Sequence, residues 1–262
     1  MSMTGDMADA AGTAGNAGAT CVVFAAGEYY DPSRNPANAV RVPHGAFVVA
    51  ADGGLDHARA LGVAPDVVVG DFDSLEGDRP AAGEDTITLP PQKDDPDLLS
   101  ALKVGWAHEC RTFHVYGALG GRVDHTLSAI RLTARIARHG GIGFLHGDGT
   151  VVTAINDGRL DWPAFDARPG RMVSVFSHAD VSRGIDEPGL KYRLMDGVLD
   201  SDSVLGLSNE FLPLTPAAVS VREGTLIVTY PAEAPEPRVS WLHGFSGDLG
   251  ALDTSVSSLL AL

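Results

Sequence analysis

The chain has 262 residues, of which 44% are hydrophobic and 20% are charged, and this composition is typical of a folded globular protein rather than a disordered or fibrous one. Its formal net charge of -15 argues against binding to the phosphates of duplex nucleic acid, which requires a positively charged surface. The same acidity is compatible with a phosphate ligand if a divalent cation lies between carboxylates and phosphate oxygens.

Three further absences limit the classes of protein to consider. No apolar run approaches the roughly 20 residues that cross a bilayer, so we expect no association with a membrane. Cys21 and Cys110 lie far apart in sequence and lack CxxC spacing, which argues against a zinc site or a disulfide framework and favours the reducing cytoplasm. Residues 1–19 lack the basic start and apolar run of a signal peptide, so we predict a flexible leader there.

The first part of the chain alternates short apolar runs with helical patterns. Several runs are rich in valine and end at glycine or aspartate, which is typical of strands buried on both faces of a parallel sheet. The predicted strands are 20–26, 46–51, 67–69, 86–89 and 112–116. The predicted helices are 55–61, 98–110 and 124–139. We therefore predict an open, mostly parallel α/β sheet domain over residues 20–158.

The pattern changes in the second part to short alternating strands separated by glycine, aspartate and proline. Residues 159–230 are therefore predicted to form a smaller all-β domain. Glu223-Gly224 fits a two-residue hairpin turn between strands at 217–222 and 225–230. Residues 231–262 are interpreted as a proline-rich spacer and a tail to which the sequence assigns no role.

Acidic or glycine-rich segments follow several of the predicted strands. They are Asp52-Gly53-Gly54, Asp71-Phe72-Asp73, residues 94–97 and residues 120–124. In open α/β sheets the ligand binds outside the carboxyl ends of the strands, so these segments are expected to meet at one site. Each segment alone is a weak signal, and their convergence is the basis of the prediction.

Asp71 and Asp73 are the strongest candidates for a metal site. With extended backbone between them, carboxylates two residues apart project to the same side and can bind one hard cation. An isolated Asp-x-Asp triplet is more often a turn in which aspartate accepts from a backbone amide. The position directly after the valine strand favours the cation here.

Two loops that lead into helices carry further candidates. Asp95 is predicted to be the N-cap of the next helix with Pro96 in its first turn, which leaves Asp97 at the mouth of the sheet as a metal ligand. The segment 117–125 joins a strand to a helix and offers backbone amides to phosphate. Arg122 would face phosphate or remain a solvated surface arginine, and His125 is expected to be a structural hydrogen bonder rather than a catalytic base.

The ordered set of motifs resembles the thiamine pyrophosphokinase family. The motifs are Asp-Gly-Gly at 52–54, Gly-Asp-Phe-Asp-Ser at 70–74, Lys-Asp-Asp-x-Asp at 93–97, Gly-Gly-Arg-x-Asp-His at 120–125 and Leu-Ser-Asn-Glu-Phe at 207–211. The resemblance runs from about residue 20 to residue 230. It implies Mg²⁺-dependent transfer of a pyrophosphoryl group from ATP to the hydroxyl of thiamine, giving AMP and thiamine diphosphate. It also implies an α/β nucleotide domain followed by a β-sandwich, in a cytoplasmic homodimer with thiamine near the subunit interface.

The resemblance assigns roles to residues of this chain. Mg²⁺ would be bound by Asp71, Asp73 and Asp97. The nucleotide site would comprise Gly27, Asp52, Gly53, Gly120, Gly121, Arg122 and Asp124. The catalytic group would be Asp71, Asp97, Asp124 and Arg122, with either Asp71 or Asp97 as acceptor of the hydroxyl proton. Thiamine would contact Ser208, Asn209 and, by stacking, Phe211.

Two departures and two alternatives accompany this interpretation. The family usually has threonine where Pro96 stands, and the chain extends beyond Tyr230, where it would be expected to end. One alternative is a glycosyltransferase that holds a metal and a nucleotide sugar at Asp71 and Asp73. The other is a sensor of nucleotide or thiamine diphosphate that has no turnover.

Overall fold

The computed structural model describes residues 18–73, 75–78, 80 and 85–256. Of the predicted leader, residues 1–17 lie outside the described residues, as does Ser74 of the 70–74 motif. The predicted α/β class is confirmed, because parallel strands alternate with helices through the first part of the chain.

Parallel strands form the first half of the sheet, in the order β4-β3-β2-β1-β5-β6. They are β1 Ala19–Phe24, β2 Phe47–Ala51, β3 Val67–Gly70, β4 Asp85–Thr88, β5 Cys110–Tyr116 and β6 Ile142–His146. The helices are α1 Gly54–Ala60, α2 Asp97–Ala107 and α3 Val123–Arg138, with a 3-10 turn at Pro36–Asn38. Because the strands are parallel, the segments that follow β1, β2, β3 and β5 lie at one edge of the sheet.

Antiparallel strands continue the same sheet from β6. They are β7 Thr150–Trp162, β8 Met172–Ser177, β9 Val181–Ile185, β10 Gly197–Asp200, β11 Asn209–Glu210, β12 Ala217–Pro231 and β13 Arg238–Trp241. Strand β7 pairs with β6, β12 and β13, and β12 also pairs with β8 and β9. The β-rich second half is therefore present, while β7 runs through the domain boundary predicted at 158/159.

Two large hydrophobic cores, together with two smaller clusters on strands β1, β2 and β3, hold the described part of this sheet. The first lies between the parallel strands and helices α2 and α3, and the second lies among the antiparallel strands. Strands β7 and β12 contribute to both, since Ala154 and Ile227 belong to the first core and Ile155 and Val228 to the second. None of the helices in the described part of the chain is long and apolar enough to cross a membrane.

The predicted hairpin turn at Glu223-Gly224 is wrong. Both residues lie inside the single strand β12, at a register shift between Val221 and Thr225. The amide of Gly224 donates to Asp157 Oδ1 at 2.8 Å, and Glu223 pairs with Arg183 of β9. These tertiary partners hold the residues as a β-bulge, which local sequence cannot distinguish from a turn.

The segment interpreted as spacer and tail is part of the fold. Residues 238–241 form β13 on β7, and Leu249 is 1% exposed in the first core. The chain thus returns from the antiparallel half to the helices that cover the parallel strands.

Candidate active site

Three carboxylates meet at the ends of β2 and β3. Asp52, Asp71 and Asp73 each offer an oxygen atom, and these atoms lie within 4.8 Å of one another. Asp52 is buried, Asp71 is half-buried and Asp73 is exposed, so the group extends from the protein interior to the surface. An all-oxygen set of this kind fits a hard divalent cation such as Mg²⁺.

Unusual backbone conformations bring these carboxylates together. Asp52 has φ 49° directly after β2, and Phe72 has φ 62° between the two aspartates that follow β3. Positive φ is uncommon for residues other than glycine and concentrates at functional sites. The Asp52 amide donates to Val69 O at 2.8 Å, and a β-carbon on Gly70 would lie 3.0 Å from Cα of Asp52. Glycine at position 70 therefore allows the two strand ends to approach closely.

The turn and metal interpretations of Asp71-Phe72-Asp73 are compatible. The Asp73 amide donates to Asp71 Oδ1 at 3.2 Å, which is the contact of an aspartate turn. The expectation of extended backbone is wrong at Phe72, whose side chain is 7% exposed in a small core with Leu55 and Val68. Burial of this ring holds the turn, and the turn still leaves both carboxylates in the group.

The loop before α2 adds a lysine and a fourth carboxylate. Lys93 Nζ lies 2.9 Å from Asp97 Oδ1 and 3.9 Å from Asp71 Oδ2, and its side chain is 6% exposed. Burial raises the pKa of Asp97, the Lys93 ammonium opposes that rise, and the charges of Asp52 and Asp71 add to it. Sequence reasoning assigned no role to Lys93, although one basic residue in an acidic loop is a signal that could have identified it.

The predicted N-cap role of Asp95 is wrong. Helix α2 begins at Asp97, and Pro96 occupies the cap position with extended backbone and no side-chain hydrogen bond. Asp95 is thus one residue too early to cap the helix. Its carboxylate instead forms a buried ion pair with Lys103, two turns into α2.

The glycines of the predicted nucleotide site bring backbone segments close together. The Gly27 amide donates to Gly117 O at 2.8 Å, and a β-carbon on Gly27 would collide with that oxygen. Gly120 and Gly121 have φ 87° and 60°, and a β-carbon on Gly120 would collide with the side chains of Tyr30 and Glu28. Gly53 is buried at the start of α1, directly after Asp52.

Arg122 and Asp124 pair with each other at the start of α3. Arg122 Nη2 donates to Asp124 Oδ2 at 2.7 Å, and the side chains are 71% and 66% exposed. The hydrogen bonds and charge of Arg122 lower the pKa of Asp124 to about 2. Among the described residues, Asp124 is not a member of the three-carboxylate group. His125, next to this pair, is exposed.

The residues predicted to contact thiamine lie in the antiparallel half and differ in accessibility. Ser208 is exposed with φ 63°, and its amide donates to Ser174 Oγ at 3.1 Å. Phe211 is 2% exposed and packs edge-on against Trp162 and Phe165, with ring centroids 5.4 and 5.1 Å away. Its ring is part of the second core, so it offers no exposed face for stacking in this conformation.

Asn209 is buried with its amide group fully hydrogen-bonded. Its Nδ2 donates to Glu187 Oε2 and to Tyr192 O, both at 2.7 Å, and its Oδ1 accepts from the amides of Tyr192 and Glu210, both at 2.9 Å. Burial raises the pKa of Glu187, and the hydrogen bond from Asn209 opposes that rise. Asn209 therefore fixes the strand that presents Ser208.

The fold and this edge define an α/β protein with a candidate divalent-cation site at the carboxyl ends of parallel strands. Residues 42–142, which include Asp52, Asp71, Asp73, Asp97 and Asp124, match the family model described as thiamin pyrophosphokinase, catalytic domain. The resemblance stated from the motifs is thereby confirmed. The comparisons give no support to a glycosyltransferase or to a sensor without turnover.

Solved structures agree with the family match. The thiamine pyrophosphokinase of Bacillus subtilis is 22% identical with a TM-score of 0.68, and the alignment covers 81% of this chain and 98% of that one. The thiamin pyrophosphokinase of Geobacillus thermodenitrificans is 24% identical with a TM-score of 0.64, covering 81% and 97%. That of Candida albicans is 14% identical with a TM-score of 0.63, covering 81% and 89%. At these identities the structures demonstrate a shared fold, and no curated protein sequence matches the chain.

Proposed function

We propose that this chain is a thiamine pyrophosphokinase, which transfers the β,γ-pyrophosphoryl group of ATP to the hydroxyl of thiamine with Mg²⁺. The observation that carries the proposal is the group formed by Asp52, Asp71 and Asp73, with Asp97 beside it, inside the segment that matches the family. In the reaction the thiamine oxygen forms a bond to the β-phosphorus. The bond from that phosphorus to the bridging oxygen of the α-phosphate breaks, and AMP leaves.

The carboxylates fit the metal that such a reaction needs. Asp71, Asp73 and Asp97 would hold Mg²⁺, with Asp52 completing the acidic site. Mg²⁺ supplies charge neutralisation for the phosphate oxygens when bound. In the protein alone, Lys93 partly balances Asp71 and Asp97. Either Asp71 or Asp97 would accept the hydroxyl proton, and burial raises the pKa of Asp97 in the metal-free protein.

The turn at Gly120-Gly121 and the start of α3 would form the phosphate side of the nucleotide site. Gly27, Gly53, Gly120 and Gly121 would admit the nucleotide close to the backbone. Arg122 is highly exposed, so it can exchange its partner Asp124 for a phosphate oxygen at little cost. Asp124 would then be available to the acidic site.

The acceptor site would lie in the antiparallel half. That half would form a β-sandwich domain that follows the α/β catalytic domain. Ser208 is the exposed member of the predicted set and would contact thiamine directly. The buried Asn209 and Phe211 would act in this conformation by holding the strand and turn that carry Ser208.

We further propose a homodimer in the cytoplasm. Large apolar side chains are exposed in one stretch of the antiparallel half, and a second copy of the chain would bury them. They are Tyr192, Met195, Val198, Val204, Leu205 and Leu207. Cys21 and Cys110 are buried thiols without a disulfide, which fits a reducing compartment.

The direct test is incubation with ATP, MgCl₂ and thiamine, followed by chromatography for AMP and thiamine diphosphate. Asp71→Asn is expected to reduce turnover at least about 100-fold while leaving the circular dichroism spectrum unchanged, because it removes one metal ligand. The matched control is Asp166→Asn at an exposed carboxylate outside the group. Folded wild-type protein that forms neither product would refute the proposal.

A further inference from the structure

The end of the chain returns to the neighbourhood of the acidic loop. We refer to residues 242–256 as the C-terminal strap and to residues 91–97 as the acidic loop. The strap begins where the Leu242 amide donates to Asp157 O at 2.9 Å, just after β13. It then passes over Gly140, where an added β-carbon would lie 2.8 Å from Cβ of Phe245.

Leu249 anchors the strap in the first core. Its side chain is 1% exposed among residues that include Leu102 of α2 and Ala134 of α3. Its carbonyl accepts from Arg135 Nη2 at 2.7 Å. The strap is therefore packed and hydrogen-bonded across both helices rather than lying loosely on them.

Lys103 lies between the strap and the acidic loop. Its ammonium pairs with Asp95 of the loop, and the two side chains are 8% and 15% exposed. A β-carbon on Gly250 would lie 3.8 Å from Lys103 Nζ, so the strap backbone covers the ammonium. On the strap side, hydrogen bonds from Ser255 lower the pKa of Asp253, and the charge of Lys103 contributes to that lowering. Lys103 is thus paired with Asp95 of the loop and covered by the strap backbone at Gly250.

The acidic loop needs an attachment of this kind. Pro96 leaves the start of α2 without a side-chain cap, so the usual hydrogen bond that fixes a chain at a helix N-terminus is missing. Lys93, whose Nζ lies 3.9 Å from Asp71 Oδ2, and Asp97, which pairs with Lys93, lie on either side of Asp95. A shift of Asp95 would move both of them.

We propose that Lys103, held in place by the C-terminal strap, is a positioning residue that acts through Asp95 to hold the acidic loop in the geometry required for metal binding. The inference rests on the proposed function, because that function makes this edge a Mg²⁺ site. It gives the chain beyond Tyr230 a role in the chemistry of a site that is formed by distant segments. Lys103, Asp95 and Leu249 are not themselves proposed metal ligands. They act on the acidic loop, which contains the proposed ligand Asp97.

The test uses the full-length chain and Mn²⁺ as a paramagnetic probe of the metal site. Lys103→Met keeps the length of the side chain without its charge, Lys103→Arg retains the charge, and Leu249→Ala loosens the strap without touching the acidic loop. Arg222→Met, which breaks an exposed ion pair with Asp196, is the matched control. Mn²⁺ dissociation constants come from electron paramagnetic resonance titration, and hydrogen exchange reports on the amides of residues 92–95 and 97.

Lys103→Met and Leu249→Ala are expected to weaken Mn²⁺ binding about tenfold and to speed exchange in the acidic loop, as loss of an outer-shell support does. Lys103→Arg should recover most of the affinity, and Arg222→Met should match wild type. In turnover, the apparent Mg²⁺ requirement should rise while the thiamine KM stays constant.

Other outcomes separate this inference from the proposed function. If wild type makes thiamine diphosphate and the folded Leu249→Ala variant binds Mn²⁺ as wild type does, the positioning role is wrong and the enzyme assignment stands. If Lys103→Met unfolds, the Mn²⁺ affinities of Leu249→Ala and Lys103→Arg decide whether the positioning role is correct. Wild type that neither binds Mn²⁺ nor forms product overturns both proposals.

Discussion

A half-buried histidine pair makes the stability of this protein sensitive to acid. His114 Nδ1 lies 3.1 Å from His146 Nε2, and His114 Nε2 lies 3.5 Å from Glu236 Oε2. A bond between two ring nitrogens needs one donor and one acceptor, so a proton added to the acceptor would place two N–H groups face to face. Burial lowers the pKa of His114 to about 4, and burial, His114 and Arg41 lower that of His146 to about 3.

The direction and size of the effect follow from these values. Both folded pKa values lie below the ordinary 6.5, so the unfolded chain binds more protons as the pH falls through that value. Two extra protons give a slope of about 2.7 kcal/mol per pH unit between roughly pH 5.5 and 4. The pKa of Glu236 is also raised, but its side chain is 55% exposed, so solvent screens most of the offset that its earlier protonation in the folded state provides. We expect a net loss of about 2 kcal/mol per pH unit, a large part of a typical domain stability of about 5–15 kcal/mol.

Urea unfolding at a series of pH values between 7 and 4.5, followed by tryptophan fluorescence, measures this slope. The double variant His114→Gln, His146→Gln removes both titrating groups and should flatten the dependence, whereas His44→Gln at an exposed position should leave it unchanged. Equal slopes for wild type and the double variant would refute the reasoning.

Three substitutions test the predicted substrate residues. Asn209→Ala should lower the free energy of unfolding by about 2–3 kcal/mol, because it leaves the buried Glu187 without its amide donor, and a loss below about 0.5 kcal/mol in urea unfolding would contradict this. Phe211→Ala should cost about 3–5 kcal/mol through the cavity it leaves, whereas unchanged thermal stability with a raised thiamine KM would indicate a stacking role. Arg122→Gln should leave stability within about 0.5 kcal/mol, since Asp124 is exposed, while kcat/KM for ATP falls about 10-fold to 100-fold, and an unchanged kcat/KM would remove Arg122 from the phosphate site.

Most of the parallel half was predictable because its signals are local, although strand β6, Ile142–His146, was not among the predicted strands. Valine-rich runs with glycine or aspartate at their ends define buried strands, and the alternation of such strands with helices favours a parallel sheet. Once that is known, Asp52, Asp71 and Asp73 are brought to one edge by topology alone. The left-handed conformation of Phe72 could not be predicted, because it depends on burial of the ring against Leu55 and Val68.

The remaining features depend on contacts between residues distant in sequence. Aspartate is a residue type that favours the N-cap position, so the sequence predicted Asp95 as the cap. Helix α2 begins at Asp97, one residue too late for Asp95 to cap it, and Asp95 pairs with Lys103 instead. Strand β13 is only four residues long, Arg238–Trp241, and it is defined by pairing with β7, which is distant in sequence. The burial of Asn209 and Phe211 likewise depends on the second core, which no local pattern specifies.

The continuity of β7 and β12 has a mechanical consequence. Each strand has residues in both cores, so the core of the parallel half and the core of the antiparallel half share two continuous strands. A hinge needs a few residues that can absorb a change in φ and ψ. Strands β7 and β12 pair with each other and so do not provide such residues. Substrates would therefore be enclosed by movement of loops on a rigid frame, and heat or denaturant should unfold the two halves together in one transition.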